Sequence, residues 1–376
     1  MFPFAHLYNV QRGRATGPWT ADWKLKSGDG LHVRLTIVDG SGSEVNLCDG
    51  RSPAGGPYEM KWIMLHHRPH LQPNQPARTQ IVSLIEPHFG TPAIRRARPL
   101  RVLGDAEFGF STRACQVQLD DTIDTLLFSG NPETQHQVES GIRFSGRFGF
   151  WREKDGLPVA ITLVGGTELS KGRFGVRLQQ SEYRGRIIRV DRSRESVTIA
   201  PALENPTALV GEVVFIANEH RRVAYKVVDA VRRAQGTELR LNWDSCIGVG
   251  RSTGTTQGRV LTDTAFTLQG YRYYHGARLV SPDGQTEYRI LGVRSRQAVY
   301  LDLKKHPESG ADRLARQFPK GTWFAVYDYG VGDELIWPYA VSVVLEKPNR
   351  YRVTAPVPVK VQLPDGAVGS RGDLRE

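Results

Sequence analysis

The chain has 376 residues, a mass of 42.0 kDa and a formal net charge of +11, a length that predicts two domains or three. Its 39 glycines and 22 prolines are typical of many strands joined by tight turns. Three cysteines without a CxxC pair (Cys48, Cys115 and Cys246) argue against both a zinc ribbon and a disulfide framework. No apolar run approaches the roughly 20 residues that a bilayer-spanning helix needs, so we expect no membrane span.

The excess of positive charge favours a polyanionic partner such as nucleic acid, anionic lipid or acidic polysaccharide. Basic residues are spread along the chain, and in residues 184–189 they alternate with other side chains, as they also would on a solvated strand face. No RNP-like, helix-turn-helix or finger pattern accompanies the charge, so we expect no nucleic-acid partner.

The first half of the chain has the alternation of half-buried strands. Residues 31–38 alternate apolar and polar side chains up to the turn dipeptide Asp39-Gly40, and residues 58–65 alternate in the same way. Residues 81–85 and 157–164 are short apolar strands that end at turn residues. These segments predict an antiparallel sheet or sandwich with one buried face.

The second half contains an internal repeat of three strands. The two sets are residues 211–216, 225–228 and 239–243, and residues 276–280, 288–291 and 299–303. They predict two similar meanders in a small sandwich or barrel, with the best helix candidate at residues 311–318, before Pro319.

Together these patterns predict an all-β chain of two domains and a tail. We expect an antiparallel β-sandwich domain at residues 1–165 and a second, smaller β-sandwich or barrel domain with the two related three-strand units at residues 166–363. Residues 364–376 are rich in glycine and charge, so we expect a flexible tail there.

The histidines are the first candidates for chemistry. His66, His67 and His70 lie between a strand and a Pro-rich loop. Neighbouring residues on a strand point to opposite faces, so His66 and His67 cannot both reach one ion without distortion, and no carboxylate lies beside them. We therefore expect no metal site and no cofactor.

Glu86 and His88 end a buried strand and could form an acid–base pair. The alternative is that Glu86 closes a turn or pairs with one of the arginines that follow it, Arg95, Arg96 and Arg98. The weak catalytic candidates are His66, His67, Glu86 and His88.

Two aromatic clusters, at residues 271–274 and 323–329, are interleaved with Arg and Asp. Such rings can stack on sugars, whose C–H faces are apolar, or they can be cross-strand pairs in a β core. The candidate substrate-binding residues are Arg68, Tyr271, Tyr273, Tyr274, Trp323, Tyr327 and Tyr329.

Residues 19–23, 31–38, 58–62 and above all 79–94, TQIVSLIEPHFGTPAI, resemble the β-sheet domain of heparinase II/III-like polysaccharide lyases. The resemblance covers roughly residues 1–165 and implies the supersandwich fold of that family for the first domain. Members carry an N-terminal helical toroid with the catalytic Tyr and an Asn or His, and no long amphipathic helix precedes Trp19 here. The family also uses a sheet-domain His, sometimes near a metal site, but the resemblance transfers no catalytic residue to this chain.

A lyase must neutralise the uronate carboxylate, remove the C5 proton and protonate the leaving oxygen. This chain offers Arg side chains for the first task and no defensible Tyr/His pair for the others. We therefore expect the β-sheet portion of such a lyase, acting on or binding acidic polysaccharide, with catalysis only if it is joined to a toroid encoded upstream. The alternatives are a non-catalytic carbohydrate-binding protein and a structural or surface β protein.

The first residues, MFPFAHLYNVQRG, show no signal peptide. Either the protein is cytoplasmic or its true N-terminus is missing. The resemblance favours the second alternative, and with it a secreted or periplasmic protein.

Overall fold

The computed structural model describes residues 6–26, 30–51, 59–66, 80–103, 112–264, 272–294, 297–304, 310–347, 350–363 and 368–371. Within these ranges the chain is all-β, as expected: antiparallel strands make up almost all of its regular structure. None of the helices in the described ranges is long and apolar enough to cross a bilayer.

Six strands open the chain and pair in two small antiparallel sheets, β1-β4-β5 and β2-β3-β6, each three-stranded in the described residues. Their bounds are β1 Leu7–Arg14, β2 Trp19–Lys24, β3 Leu31–Ile37, β4 Glu44–Arg51, β5 Glu59–His66 and β6 Ser83–Phe89. Strand β6 comes from the segment that carries the family resemblance.

Ten further strands supply most of a β-sandwich. They are β7 Arg96–Leu100, β8 Val102–Leu103, β9 Thr112–Gln118, β10 Thr122–Ser129, β11 His136–Val138, β12 Ile142–Ser145, β13 Phe148–Lys154, β14 Leu157–Val164, β15 Glu168–Lys171 and β16 Phe174–Arg177. Inward positions such as Leu127, Phe144, Trp151 and Ile161 are almost fully buried, which is the alternation expected for a sheet with one face in the core.

The next twelve strands form two closed barrels. They are β17 Glu182–Asp191, β18 Ser196–Ala200, β19 Val213–Ala217, β20 Arg222–Arg233, β21 Gly236–Leu241, β22 Cys246–Thr256, β23 Arg259–Thr262, β24 Arg278–Val280, β25 Glu287–Arg294, β26 Ala298–Asp302, β27 Trp323–Tyr327 and β28 Glu334–Pro338. A 3₁₀ helix covers Pro206–Leu209, and the α-helix α1 covers Ala311–Gln317.

Four last strands complete the sandwich: β29 Ala340–Lys347, β30 Arg350–Thr354, β31 Val359–Gln362 and β32 Val368–Arg371. Over the described residues its two sheets are each seven-stranded, in the orders β30-β29-β14-β13-β10-β9-β7 and β32-β31-β16-β15-β12-β11-β8. The ring of Phe174, from the second sheet, contacts Trp151 and Tyr351 of the first, each at 5.5 Å between centroids. The sheets therefore pack face to face around an aromatic core.

The chain folds into two compact units, of which the first comprises Met1–Ser181 with Tyr339–Glu376 and the second comprises Glu182–Pro338. This division differs from the expected boundary at 165, because β15 and β16 pair within the sandwich and β29 pairs with β14. The expected tail also contains β32, which pairs with β31, while residues 364–367 and 372–376 lie outside the described residues.

The internal repeat corresponds to two barrels of identical topology. Barrel 1 has the order β17-β18-β21-β20-β19-β28 and barrel 2 the order β22-β23-β26-β25-β24-β27. Numbered along each barrel, both orders are 1-2-5-4-3-6, and the repeated three-strand sets are the third to fifth strands. All strands of barrel 2 lie between the fifth and sixth strands of barrel 1, so one barrel is inserted in the sequence of the other.

The expected helix is present as α1 and contributes to the core of barrel 2. Leu314 and Phe318 are fully buried there, with Tyr288 and Phe324 among their neighbours in the same cluster. The helix is short because Pro319 follows Phe318 and cannot continue a helix.

Substituting Ile199 by Ala should destabilise barrel 1. Ile199 is fully buried on β18 between the interior positions of β17 and β21, so the change leaves a cavity and should lower the free energy of unfolding by about 2–5 kcal/mol. Chemical denaturation of the full chain measures the effect, with Thr198→Ala, on the outer face of the same strand, as the control within about 0.5 kcal/mol of wild type. Equal loss in both variants would contradict the assigned interior.

Candidate functional site

Three potential metal ligands share one face of the sheet β2-β3-β6. In its register, Asp22 lies opposite Arg34, and His32, two residues before Arg34, lies opposite His88. Because every second residue of a strand points to the same side, Asp22, His32 and His88 converge.

The three side chains are in direct contact. His32 Nδ1 lies 2.6 Å from Asp22 Oδ1, and His88 Nε2 lies 2.9 Å from Asp22 Oδ2. The two imidazole rings are stacked, with centroids 5.1 Å apart. One ligand atom from each residue lies within 4.8 Å of the others, which is close enough for all three to bind one ion.

Hydrogen bonds define the charge of this cluster. Those from His32 and His88, and a weaker one from Arg34 Nε at 3.2 Å, hold the pKa of Asp22 down at about 2, so the carboxylate is ionised. His88 Nδ1 lies 2.9 Å from the carbonyl oxygen of Gly90, to which it can only donate. If that imidazole is neutral, its Nε2 carries a lone pair that points at a carboxylate.

A lone pair that faces a carboxylate is unfavourable. The contact becomes favourable if His88 is an imidazolium, or if a cation lies between Nε2 and Asp22. Two imidazole nitrogens and one carboxylate suit Zn²⁺, which takes such ligands in sites that keep one position open. The residues therefore fit a zinc ion, and the Gly90 carbonyl would orient the His88 ring toward it.

Sequence reasoning missed this cluster, because it searched for ligands near one another in the chain. The available signal was His32 and His88 on separate strands that each alternate strictly, but no local pattern shows that those strands pair. The expectation of no metal site rested on His66, His67 and His70. His66 lies exposed at the end of β5, opposite Glu44, and residues 67–79, with His67, Arg68 and His70, lie outside the described residues.

Glu86 closes the turn after β6, which was the alternative to a role in an acid–base pair with His88. It is buried, and its Oε1 accepts the backbone N–H groups of Ala93 at 2.6 Å and Ile94 at 3.0 Å. The nearby Arg95 and Arg98 pair with Asp120 and Glu139 instead. Glu86 thus holds a loop and is not placed for proton transfer.

The aromatic candidates on β27 divide by their position on the strand. Trp323 and Tyr327 point outward, and Trp323 is 62% exposed. The guanidinium of Arg192 covers the Tyr327 ring at 4.0 Å. Tyr329, beyond the strand, is 1% exposed and packs edge-on against Tyr225, and burial raises its pKa to about 12.

The other aromatic cluster has a structural role. Tyr274 is buried in the core of barrel 2, and Tyr273, partly exposed, binds the side chain of Arg221 through its carbonyl oxygen and ring face. Tyr271 lies outside the described residues. Tyr274 and Tyr329 are buried, so their rings offer no exposed face for stacking on a sugar, and neither residue lies on a strand.

Trp323 lies opposite Arg251 of β22, and the next outward pair is Val249 and Ala325. We call these four residues the Trp323 face. Arg251 Nε donates to the carbonyl oxygen of Gly321 at 3.2 Å, which restrains the guanidinium on the strand that pairs with β27. No carboxylate in the described part of the chain forms an ion pair with Arg251.

The equivalent place in barrel 1 has different chemistry. Its sixth strand starts with Glu334, opposite Arg186, where β27 starts with Trp323 opposite Arg251. Arg184, two residues before Arg186 on β17, forms ion pairs with both Glu182 and Glu334. The two barrels thus share a fold, and they differ in that barrel 2 has the exposed ring of Trp323 at the position where barrel 1 has Glu334.

A polar cluster, also missed from the sequence, joins the two barrels. Its ion pairs are Arg192 with Glu287, Arg221 with Asp328, and Arg278 with Asp333. Tyr225 Oη also donates to Asp328 at 2.8 Å, and burial and this carboxylate raise the pKa of Tyr225. The first pair ties a turn of barrel 1 to a strand of barrel 2, and the other two tie a turn of barrel 1 and a strand of barrel 2 to the connection between β27 and β28.

Comparison with known protein families, with characterised proteins and with solved structures finds no match to this chain. The chemistry of the two candidate sites is therefore argued from their side chains.

The wild-type protein should bind one Zn²⁺ per chain at Asp22, His32 and His88. His32→Ala should weaken binding at least about tenfold, measured by calorimetry, because it removes a ligand. His66→Ala, a histidine on the other small sheet, should bind as wild type does. The affinity should fall as the pH is lowered from 8 to 5, because a protonated imidazole cannot bind metal. Equal affinity in both variants would rule this site out.

Proposed function

We propose that this chain binds acidic, uronate-containing polysaccharide through the Trp323 face, as the strand-built portion of a heparinase II/III-like polysaccharide lyase and without independent catalysis. The observation that supports binding is the exposed indole of Trp323, which lies opposite Arg251 in the strand register, together with the restrained guanidinium of Arg251.

These two groups match the two chemistries of a uronate. The indole offers a flat apolar surface for the C–H face of a pyranose ring, and a guanidinium can hold a carboxylate with two parallel hydrogen bonds. Since the Nε of Arg251 is occupied by the Gly321 carbonyl, its two Nη groups remain for the ligand. This prior restraint lowers the entropy lost on binding.

Charge supports an anionic ligand over a neutral one. The chain carries a net charge of +11, which raises the local concentration of polyanions. In barrel 1, Arg184, two residues before the equivalent Arg186, pairs with Glu182 and Glu334. A carboxylate bound at the Trp323 face would therefore meet the charge of Arg251, which no carboxylate among the described residues pairs with.

The cluster of Asp22, His32 and His88 lies in the segments that carry the resemblance, although the family's own sheet-domain His and metal belong to an earlier segment. A zinc ion held there would brace three strands and offer positive charge to an anionic sugar. Asp22 and His88 belong to this cluster and Glu86 is bound to backbone amides, so we place the base and acid of β-elimination outside this chain. A toroid joined to it would supply them, in a secreted or periplasmic enzyme.

Retention on an immobilised polyuronate such as polygalacturonate tests the proposal. Trp323→Ala should weaken binding at least about tenfold, because stacking on an exposed aromatic contributes roughly 1–3 kcal/mol. Arg251→Gln should weaken it similarly and reduce its dependence on salt, because it removes the charged contact. Trp243→Ala is the matched control: Trp243 is 69% exposed but lies in the linker between β21 and β22, so binding should not change.

Two results would count against the proposal. Equal retention of Trp323→Ala and Trp243→Ala would exclude the Trp323 face as the binding site. If the wild-type chain does not bind polyuronate at all, the alternative of a structural or surface β protein is favoured.

A further inference from the structure

Two histidines from different barrels are stacked at the barrel junction. His220 lies in the turn between β19 and β20 of barrel 1, and His275 lies in the segment that leads into β24 of barrel 2. Their ring centroids are 3.6 Å apart and their planes differ by 18°. This is a closer and more parallel contact than that of His32 and His88, whose centroids are 5.1 Å apart.

Hydrogen bonds hold both segments in register. Asn218 Oδ1 accepts the backbone N–H groups of His220 at 3.1 Å and Arg221 at 3.1 Å, which shapes the turn. Asn218 Nδ2 donates to the carbonyl oxygen of Gly276 at 3.1 Å, and Arg221 binds the carbonyl of Tyr273. The turn of barrel 1 is thereby fixed to the loop of barrel 2 on either side of the stack.

The surroundings of the stack, burial first, oppose protonation of His275. Barrel 1 contributes the charged groups Glu219 and Arg221, and barrel 2 contributes Arg272 and Arg289. The connection between β27 and β28 contributes Asp328 and Asp333. The aspartates already pair with Arg221 and Arg278, and Glu219, 3.6 Å from His220 Nε2, is mostly exposed. Burial and the charge of His220 lower the pKa of His275, with Arg272 and Arg289 adding to the effect and Glu219 opposing it.

We propose that His220 and His275 form a pH-sensitive latch between barrel 1 and barrel 2, closed when both rings are neutral and released when both are protonated. Two imidazolium rings 3.6 Å apart would repel each other strongly. This inference concerns the barrel junction and is independent of polysaccharide and of zinc.

The direction of the pH dependence follows from the lowered pKa of His275. Above the ordinary histidine pKa of about 6.5 the His275 ring is neutral and the latch is at full strength. As the pH falls below that value, the released form takes up protons that the closed form resists, and the closed form loses stability. The loss ends once the pH is below the lowered pKa.

Hydrogen exchange of the full-length protein, corrected for intrinsic exchange rates, tests the latch at pH 8 and pH 5. Protection of residues 214–226 and 272–280 should fall at least about tenfold at pH 5 in the wild type, with the interior strands of the sandwich unchanged. His275→Gln cannot become charged, so its protection should be nearly equal at the two pH values. His66→Gln, distant in sequence and in the first unit, should behave as wild type does.

Two further variants separate the latch from other causes. His220→Gln should also abolish the pH dependence, which keeps the test decisive if His275→Gln fails to fold. Burial also raises the pKa of Glu287 at the same junction, so Glu287→Gln tests whether that carboxyl is responsible. If Glu287→Gln abolishes the dependence, if both histidine variants retain it, or if wild-type protection is equal at the two pH values, the latch is wrong.

Discussion

The second unit depends on the pairing of its first and last strands, β17 and β28, which lie about 150 residues apart in sequence. Glu182 is opposite Pro338 and Arg186 is opposite Glu334, and β28 also pairs with β19, which closes barrel 1. A closed barrel leaves no free strand edge, so its backbone groups are satisfied internally. The adjoining residues of the first unit, Ser181 and Tyr339, are joined by a backbone hydrogen bond of 3.0 Å. The chain can therefore insert a complete unit between two strands of a sandwich.

The same architecture occurs again inside the second unit, since all of barrel 2 is inserted before the strand that closes barrel 1. The junction is made of buried ion pairs, among them Arg278 with Asp333 and Arg221 with Asp328. Burying such charges costs desolvation free energy, and good hydrogen-bond geometry only offsets that cost, so these pairs serve orientation more than stability. They define how the turns of barrel 1 meet barrel 2 and place His220 against His275.

Strand alternation then decides which side chains are available for chemistry. On β27 it buries Phe324 and Val326 and exposes Trp323, and in the small sheet it gathers Asp22, His32 and His88 on one side. The fold itself does not distinguish the barrels, which have one topology. What differs is a few surface positions, such as Trp323 in one barrel where Glu334 stands in the other, and binding properties depend on such positions.

The sequence by itself determined the local features: strand alternation, the three-strand repeat, the helix ended by Pro319, the turn-closing role open to Glu86, and the choice of Trp323 as a binding candidate. These follow from interactions within a few residues. Only the tertiary structure decided the partners of each strand, and with them the return of the chain at Tyr339, the burial of Tyr274 and Tyr329, and the meeting of Asp22 with His88, 66 residues away. The physical reason is that alternation specifies the two faces of a strand, while register and neighbour are chosen by long-range pairing and by closure of the core.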